Sequence, residues 1–320
     1  MQVVYSGGSL RQQSWAKKQK EVVRMVIPVP RPRRQPRWGH LAIHAVLLTI
    51  SLLFVFPLVL VVSSSFSSEN AIATQGYSII PRDFTLFAYR YILENPDQIL
   101  QAYGVTVVVT VVGTTVSLLV MALLAYPLSR RDFGLRKPLS FFVFFTLLFN
   151  GGLVPFYILV TQYLHLQDTL LALILPYLVV PWFVLLLRTF FAGLPHELTE
   201  AAKIDGAGEW LIFFRMVLPL SRPALATVGL FSALQYWNDW WLGLLFINNP
   251  HLVPLQLLLY DLSTNIDFLA SNPQTVGVAI PVQTTRMAMA VLAVAPVTVA
   301  FLFFQRYFIR GITLGGLKGD

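Results

Sequence analysis

The 320-residue sequence contains no cysteine, so disulfides, iron–sulfur clusters and thiolate metal sites are excluded. Its five histidines are scattered without HExxH-like spacing, which argues against a histidine metal site. Charge is the third shortage. Only 12% of residues are Asp, Glu, Lys or Arg, against roughly 25% in soluble domains. So few charged side chains cannot cover in water a chain that is 56% hydrophobic, and lipid is the expected solvent. A phosphate-cradling G-x-x-x-x-G-K-[ST] loop is also missing. Gly311–Gly316 is followed by Leu317 instead of Lys, so no catalytic nucleotide site of that kind is expected in this chain.

What is present is six apolar stretches: Leu41–Ser64, Val105–Leu128, Leu139–Thr161, Leu170–Phe190, Pro223–Ile247 and Met287–Phe308. Each reaches the ~20 residues that a bilayer crossing takes. The first begins too far from Met1 and is too long for a cleavable signal, so it is read as a retained helix. Pro57, Pro155, Pro176, Pro181 and Pro296 interrupt several spans, which neighbouring groups in a membrane bundle can accommodate. Of the 23 Lys and Arg, only Arg82, Arg90 and Arg286 fall on one side of this arrangement. The positive-inside bias then predicts both termini in the cytoplasm, and makes the +8 net charge a topology signal, not a nucleic-acid footprint. The expected fold is all-α. Residues 1–40 form a basic tail, 41–310 a six-helix transmembrane domain with a cytoplasmic loop at about 192–222, and 311–320 a second cytoplasmic tail. The proline-rich tail (PVPRPRRQPRW) reads either as an arm on anionic lipid or a partner, or as a disordered topology anchor.

The loop between spans four and five reads LPHELTEAAKIDGAGEWLIFFRMVLPLSRP. Pro195, Glu197 and Glu200 favour a helix start. Leu198, Ala201, Ala202 and Asp205 follow i, i+3, i+4, i+7, giving a short helix one small or apolar side, and Gly206 supplies a turn. A second amphipathic segment, Trp210–Leu218, runs to Pro219. Glu200-Ala201-Ala202, three residues, Gly206, nine residues, then Met216-Val217-Leu218-Pro219 resembles the EAA loop of ABC importer permeases. Met216 stands where the pattern has Ile, a change of similar volume. The resemblance implies that this is the coupling helix that docks in a cleft of a separate ATPase, with Glu200 pairing a basic residue there and Gly206 making the turn. The resemblance extends over about Leu52–Gly319. PRDFTLFAYRYIL, FNGGLVPFY, Tyr236-Trp237-Asn238-Asp239 and QRYFIRGITLGGLKG are similar to the carbohydrate branch, above all to the second of two paired permeases for complex, often acidic, oligosaccharides.

That resemblance implies a multi-pass protein of the bacterial inner membrane without catalysis of its own. Its implied partners are a second permease, two ATPase subunits that hold ATP and Mg, an extracytoplasmic binding protein and an oligosaccharide, moved by alternating access. A different cargo, such as an amino acid or osmolyte, is the nearest alternative. An ion-coupled transporter would need a buried carboxylate or His relay, and Asp239 is the sole acidic residue at membrane depth. A membrane enzyme would need a nucleophile–base pair, and His44 in span one has no partner in the sequence. For the substrate path, Gln235, Asn238 and Asp239 share one face of a continuous helix at 100° per residue, with Tyr236 and Trp240 flanking it and Trp237 and Trp241 opposite. These polar groups line a water-filled path or join helices as polar glue, and Asn150 carries the same two readings, before a Gly151-Gly152 pair that is expected to loosen or break the helix. The outer loop Asn248–Thr285 reads as a contact to the binding protein, by resemblance, or as a solvated connector.

Overall fold

Helices, whose backbone polar groups satisfy one another without water, are the regular elements that the apolar runs form. The computed structural model describes residues 37–94, 96–271 and 281–316 and has no strand among them. In chain order the helices are α1 (Arg37–Ser65), α2 (Glu69–Gln75), α3 (Phe87–Ile92), α4 (Pro96–Ser129), α5 (Arg136–Leu148) and α6 (Leu153–Ile158) with a π turn Leu159–Tyr163. There follow α7 (Leu170–Ile174), α8 (Pro181–Ala192), α9 (His196–Ile204), α10 (Glu209–Ile212), a π turn Phe213–Val217, α11 (Leu218–Leu220) and α12 (Arg222–Trp237). Last come α13 (Trp241–Phe246), α14 (Leu255–Ser271) and α15 (Val282–Gly316). The expected basic tail lies almost wholly outside the described residues, as do 272–280 of the outer loop and 317–320 of the C-terminal tail.

Three helices are long and apolar enough to cross a bilayer, Leu41–Ser65, Pro96–Ser129 and Val282–Leu302, and up to six spans result if each of three bent pairs is one span. The third span turns by 113° between Leu148 and Leu153, the fourth by 49° after Tyr177, and the entry to the fifth by 80° at Ser221. The fifth does not run unbroken to Ile247 either; it stops at Trp237 and restarts at Trp241. The loop Asn248–Thr285, expected as a contact to the binding protein or as a solvated connector, holds the 17-residue α14, which buries Leu255, Leu258, Leu259 and Ile266.

The chain divides at Pro57–Leu58 into two units. In the first, the apolar side chains of α1 from Leu41 to Phe56 are exposed, as a lipid-facing helix requires. In the second, α4 is the central post. Met121, Ala122, Ala125 and Leu128 join one buried cluster with α8, α10 and α12; Val109 joins another with α7 and α13; Ile99 and Ala102 join a third with α3, α14 and α15. Small residues permit the close approach. A methyl group on Gly113 would lie 2.8 Å from the Tyr236 ring of α12.

Prolines explain several polar contacts inside the bundle. Pro296 has no N–H to give the Leu292 carbonyl, four residues back in α15. Tyr103 of α4 donates its hydroxyl to that oxygen at 2.7 Å, and Trp237 Nε1 donates to Ala293 O at 3.0 Å. The Tyr177 carbonyl, at the end of the 3₁₀ turn where the chain bends before α8, accepts the Ser117 hydroxyl at 3.2 Å. Helix starts are met by carboxylates: Glu69, the first residue of α2, accepts the backbone N–H groups of Gln283 and Thr284 at 2.9 Å and so caps α15. Asp168 does the same for Asn248 and Asn249, and these backbone bonds hold its carboxyl below the usual range.

A double-mutant cycle tests the proline argument. Tyr103→Phe should destabilise the detergent-solubilised protein by about 0.5–1.5 kcal/mol, and the loss should shrink in a Pro296→Ala background, where Leu292 O regains a helical donor. An unchanged loss by thermal unfolding would show that the hydroxyl does not act on that carbonyl.

Candidate functional site

The loop singled out in the sequence folds as α9, a turn and α10. Pro195 sets the chain direction before α9, and Glu197 in the first turn and Lys203 in the last suit the helix dipole. Gly206 adopts φ +80°, a left-handed conformation that favours glycine, and the Ala207 N–H returns to Ala202 O at 2.9 Å. Thr199 is buried and Ala202 packs on the cluster shared by α4, α8 and α10. Leu198, Glu200, Ala201, Ile204 and Asp205 point away from the chain, with Ile204 86% exposed. The small side predicted from spacing is thus split: Ala202 anchors the helix, while Leu198, Ala201 and Asp205 are presented outward. The following segment does not end at Pro219. It continues through the π turn and α11 to Leu220, burying Ile212, Phe213 and Val217 and half-burying Leu218.

An ionic network holds this loop, and sequence reasoning missed it. Lys203 Nζ of α9 lies 2.7 Å from Glu209 Oε1 of α10 and 3.3 Å from Asp132 Oδ2. Arg130 pairs with Asp132 at 3.1 Å, and the Tyr126 hydroxyl donates to Glu209 Oε2 at 2.6 Å. Hydrogen bonding from Arg130, with the Arg130 charge and a bond from Lys203, lowers the Asp132 carboxyl to about 2. Partial burial pushes Glu209 up, but the bonds from Lys203 and Tyr126 outweigh it and hold that carboxyl below its ordinary value. Both groups are depressed, so their contribution is complete above the ordinary carboxylate range and is lost as pH falls through their lowered values, for Asp132 about 2. The network therefore keeps its charges near neutrality. Each pair is partly exposed and weak alone, yet together they fasten α9 and α10 to the end of α4. Arg136 and Arg188 add Nε donors at 3.1 and 3.2 Å to the C-terminal carbonyl of Leu128. Lys203 and Glu209 lie on opposite sides of the Gly206 turn, so no helical spacing marks them as partners.

The second region is a cavity of about 600 Å³ where three broken spans meet, lined among others by Asn150, Gly152, Phe156, Tyr177, Trp241 and Leu242. The Gly pair does break span three: Gly152 has φ +90°, and the Asn150 side chain accepts its N–H at 2.7 Å. Asp239 stands at the break in span five. It accepts the Tyr177 hydroxyl at 2.9 Å through one oxygen and the Leu242 N–H, in the first turn of α13, at 3.3 Å through the other. This geometry joins spans four and five and starts a helix. Asn238 is exposed and turns its amide back to Leu234 O at 2.9 Å. Gln235 is half-buried.

Helical spacing fails here because α12 ends at Trp237. Tyr236, expected beside a wet path, is 2% exposed and donates to Ile174 O at 2.9 Å, the carbonyl released where α7 tightens into a 3₁₀ turn. Trp241, expected on the opposite side, lines the cavity. Trp240 is half turned out and stacks on Tyr260, ring centroids 4.6 Å apart.

Asp239→Ala removes an acceptor from Tyr177 and from the start of α13. At about 1–3 kcal/mol per buried group left unsatisfied, it should lower the unfolding temperature in detergent, and Asp239→Asn, which keeps an acceptor, should recover most of the loss. Equal losses in both variants would mean that the negative charge, not the acceptor, is what matters.

Residues 102–314 match the family of binding-protein-dependent transport system inner membrane components. The chain is 40% identical over 279 residues to the polygalacturonan/rhamnogalacturonan transport system permease protein YtcP of Bacillus subtilis, covering 87% of this chain and 97% of the relative. It is 34% identical over 282 residues to the arabinooligosaccharides transport system permease protein AraQ of Halalkalibacterium halodurans, covering 84% and 93%. Its fold is similar to a chain in the crystal structure of a bacterial ABC transporter involved in the import of the acidic polysaccharide alginate, with a TM-score of 0.73, 27% identity and coverage of 88% and 100%. The chain therefore belongs to the binding-protein-dependent transport system inner membrane components, the permease subunits of ABC importers.

Proposed function

We propose that this chain carries oligosaccharides, including acidic ones, through the inner membrane as one permease of an importer completed by a second permease, two ATPase subunits and an extracytoplasmic binding protein. In this reading the six apolar segments span the membrane with both termini in the cytoplasm, residues 41–310 are the permease domain, and ATP and Mg bind the partner ATPases. The observation that carries it is α9: a short helix that exposes Leu198, Glu200, Ala201 and Ile204 while Lys203, Glu209 and the Ala202 packing tie it to α4. A helix held this way moves with α4 when a partner pulls it. Glu200 is the charged contact to the ATPase, Ala201 and Ala202 allow close approach on opposite sides, and Gly206, Leu218 and Pro219 shape the return into α12. Closure of the ATPases draws two such helices together and opens the path outward, and release of the hydrolysis products reverses it.

The cargo reading rests on the relatives, whose printed names include polygalacturonan, rhamnogalacturonan, arabinooligosaccharides and alginate. The cavity supports it with amide and hydroxyl groups beside aromatic rings, a lining suited to sugar. Of the candidates, Asn150 lines this cavity, while Gln235, Asn238, Asp239 and Trp240 lie outside its lining and stay candidates elsewhere along the path, with Tyr236 as a packed support.

The test is ATP hydrolysis and sugar uptake in proteoliposomes holding the assembled importer. Hydrolysis should rise when binding protein loaded with an oligosaccharide is added; no response to any oligosaccharide, with a response to an amino acid, would reassign the cargo. Glu200→Ala should weaken retention of the ATPase on the purified permeases. Lys203→Ala should retain the ATPase yet lower the sugar moved per ATP several-fold, because the helix then slips on α4; unchanged stoichiometry would remove the network from the transmission path.

A further inference from the structure

A second cavity, of about 380 Å³, lies apart from the one at the span breaks and is lined by groups from three elements: Trp240 at the break before α13, Gln256, Tyr260 and Ser263 of α14, and Arg286 of α15. Its floor is apolar, with Leu259 and Met289 buried beneath. Trp240 and Tyr260 are stacked at 4.6 Å with planes 19° apart, so two large rings are already ordered before any ligand arrives, and more than a third of each residue remains accessible. Arg286 sits in the first turn and a half of α15, a helix whose start is fixed by Glu69.

We propose that this cavity is a subsite for one uronic acid unit of the oligosaccharide, at the outer mouth of the path. The chemistry is specific to that class. The C–H face of a pyranose is weakly positive and packs on the negative face of an aromatic ring. A carboxylate takes two parallel N–H bonds from a guanidinium, and Gln256 and Ser263 supply an amide and a hydroxyl for ring hydroxyls. The volume fits within the range of small-ligand sites, about 300–1,000 Å³. The proposal rests on the importer reading above and adds to it which residues meet the charge of an acidic cargo. That charge has no counterpart in the first cavity, where no Lys or Arg is in the lining.

The probes are trigalacturonate and its methyl ester, which keeps the rings and removes the charge, supplied to the complete importer in proteoliposomes. The wild type should take up the acid in preference to the ester. Arg286→Gln should lower the acid-to-ester ratio about tenfold, as expected for loss of one charged hydrogen-bonding group, and Arg286→Lys should hold the ratio within about threefold of wild type. Tyr260→Ala should lower uptake of both trimers without changing the ratio. An unchanged ratio in Arg286→Gln overturns the subsite, whether uptake of both trimers is kept or lost equally, and equal loss would mark Arg286 as a contact to lipid or to another subunit. Should Arg286→Gln fail to assemble, Gln256→Glu, which sets a carboxylate in the same cavity, decides: a lowered acid-to-ester ratio supports the subsite and an unchanged ratio overturns it. Failure of the wild type to move either trimer, while moving a neutral oligosaccharide, overturns the uronate site and leaves the importer reading standing; failure with every oligosaccharide overturns both.

Discussion

Every backbone group that a helix break releases inside lipid must find a partner, because no water is there to supply one. That constraint accounts for seven of the polar side chains within this bundle. Tyr103, Ser117, Tyr236 and Trp237 are donors to carbonyls beside prolines or 3₁₀ turns. Asn150, Asp239 and Thr106 are acceptors for the N–H groups at Gly152, Leu242 and Leu255. The four donor bonds also link two spans each. The breaks and the cross-links are one device: an interrupted helix exposes polar backbone, and the side chain that satisfies it sets how the spans pack.

This explains why the breaks cluster around a cavity. Spans three, four and five bend at Phe149–Gly152, Tyr177–Val180 and Asn238–Trp240, and the first two of these bends, with Trp241 just after the third, contribute to one space. Bent helices leave room that straight ones would fill, and the polar groups at their ends give that room a partly polar wall. A route for sugar through an apolar bundle needs both features.

The α4 helix joins the two functional regions. Near Ser129 it meets α9 and α10 through the Tyr126, Arg130 and Asp132 network and through apolar packing. Further along, Val109 and Gly113 touch the elements that carry Tyr236 and Leu242. Close packing makes such a helix stiff, so displacement at one end reaches the other. The ionic network fastens α9 and α10 to the Ser129 end of α4.

By itself the sequence determined the solvent, the number and place of the apolar segments, the absence of thiol and P-loop chemistry, and the Glu200–Gly206 motif, because composition, run length and local spacing are one-dimensional properties. It also carried the Gly151-Gly152 break, since glycine has a local conformational signature. Only the tertiary structure decided that α12 ends at Trp237, which turns Tyr236 inward and Trp241 toward the cavity; no helix-breaking residue marks Asn238–Trp240, and the break is held by Tyr177, 62 residues away. It alone paired Lys203 with Glu209 and Asp132, and put Arg286 beside Trp240 and Tyr260. Those partners come from separate helices, and helical spacing has no information about which neighbour a side chain will meet across a packed bundle.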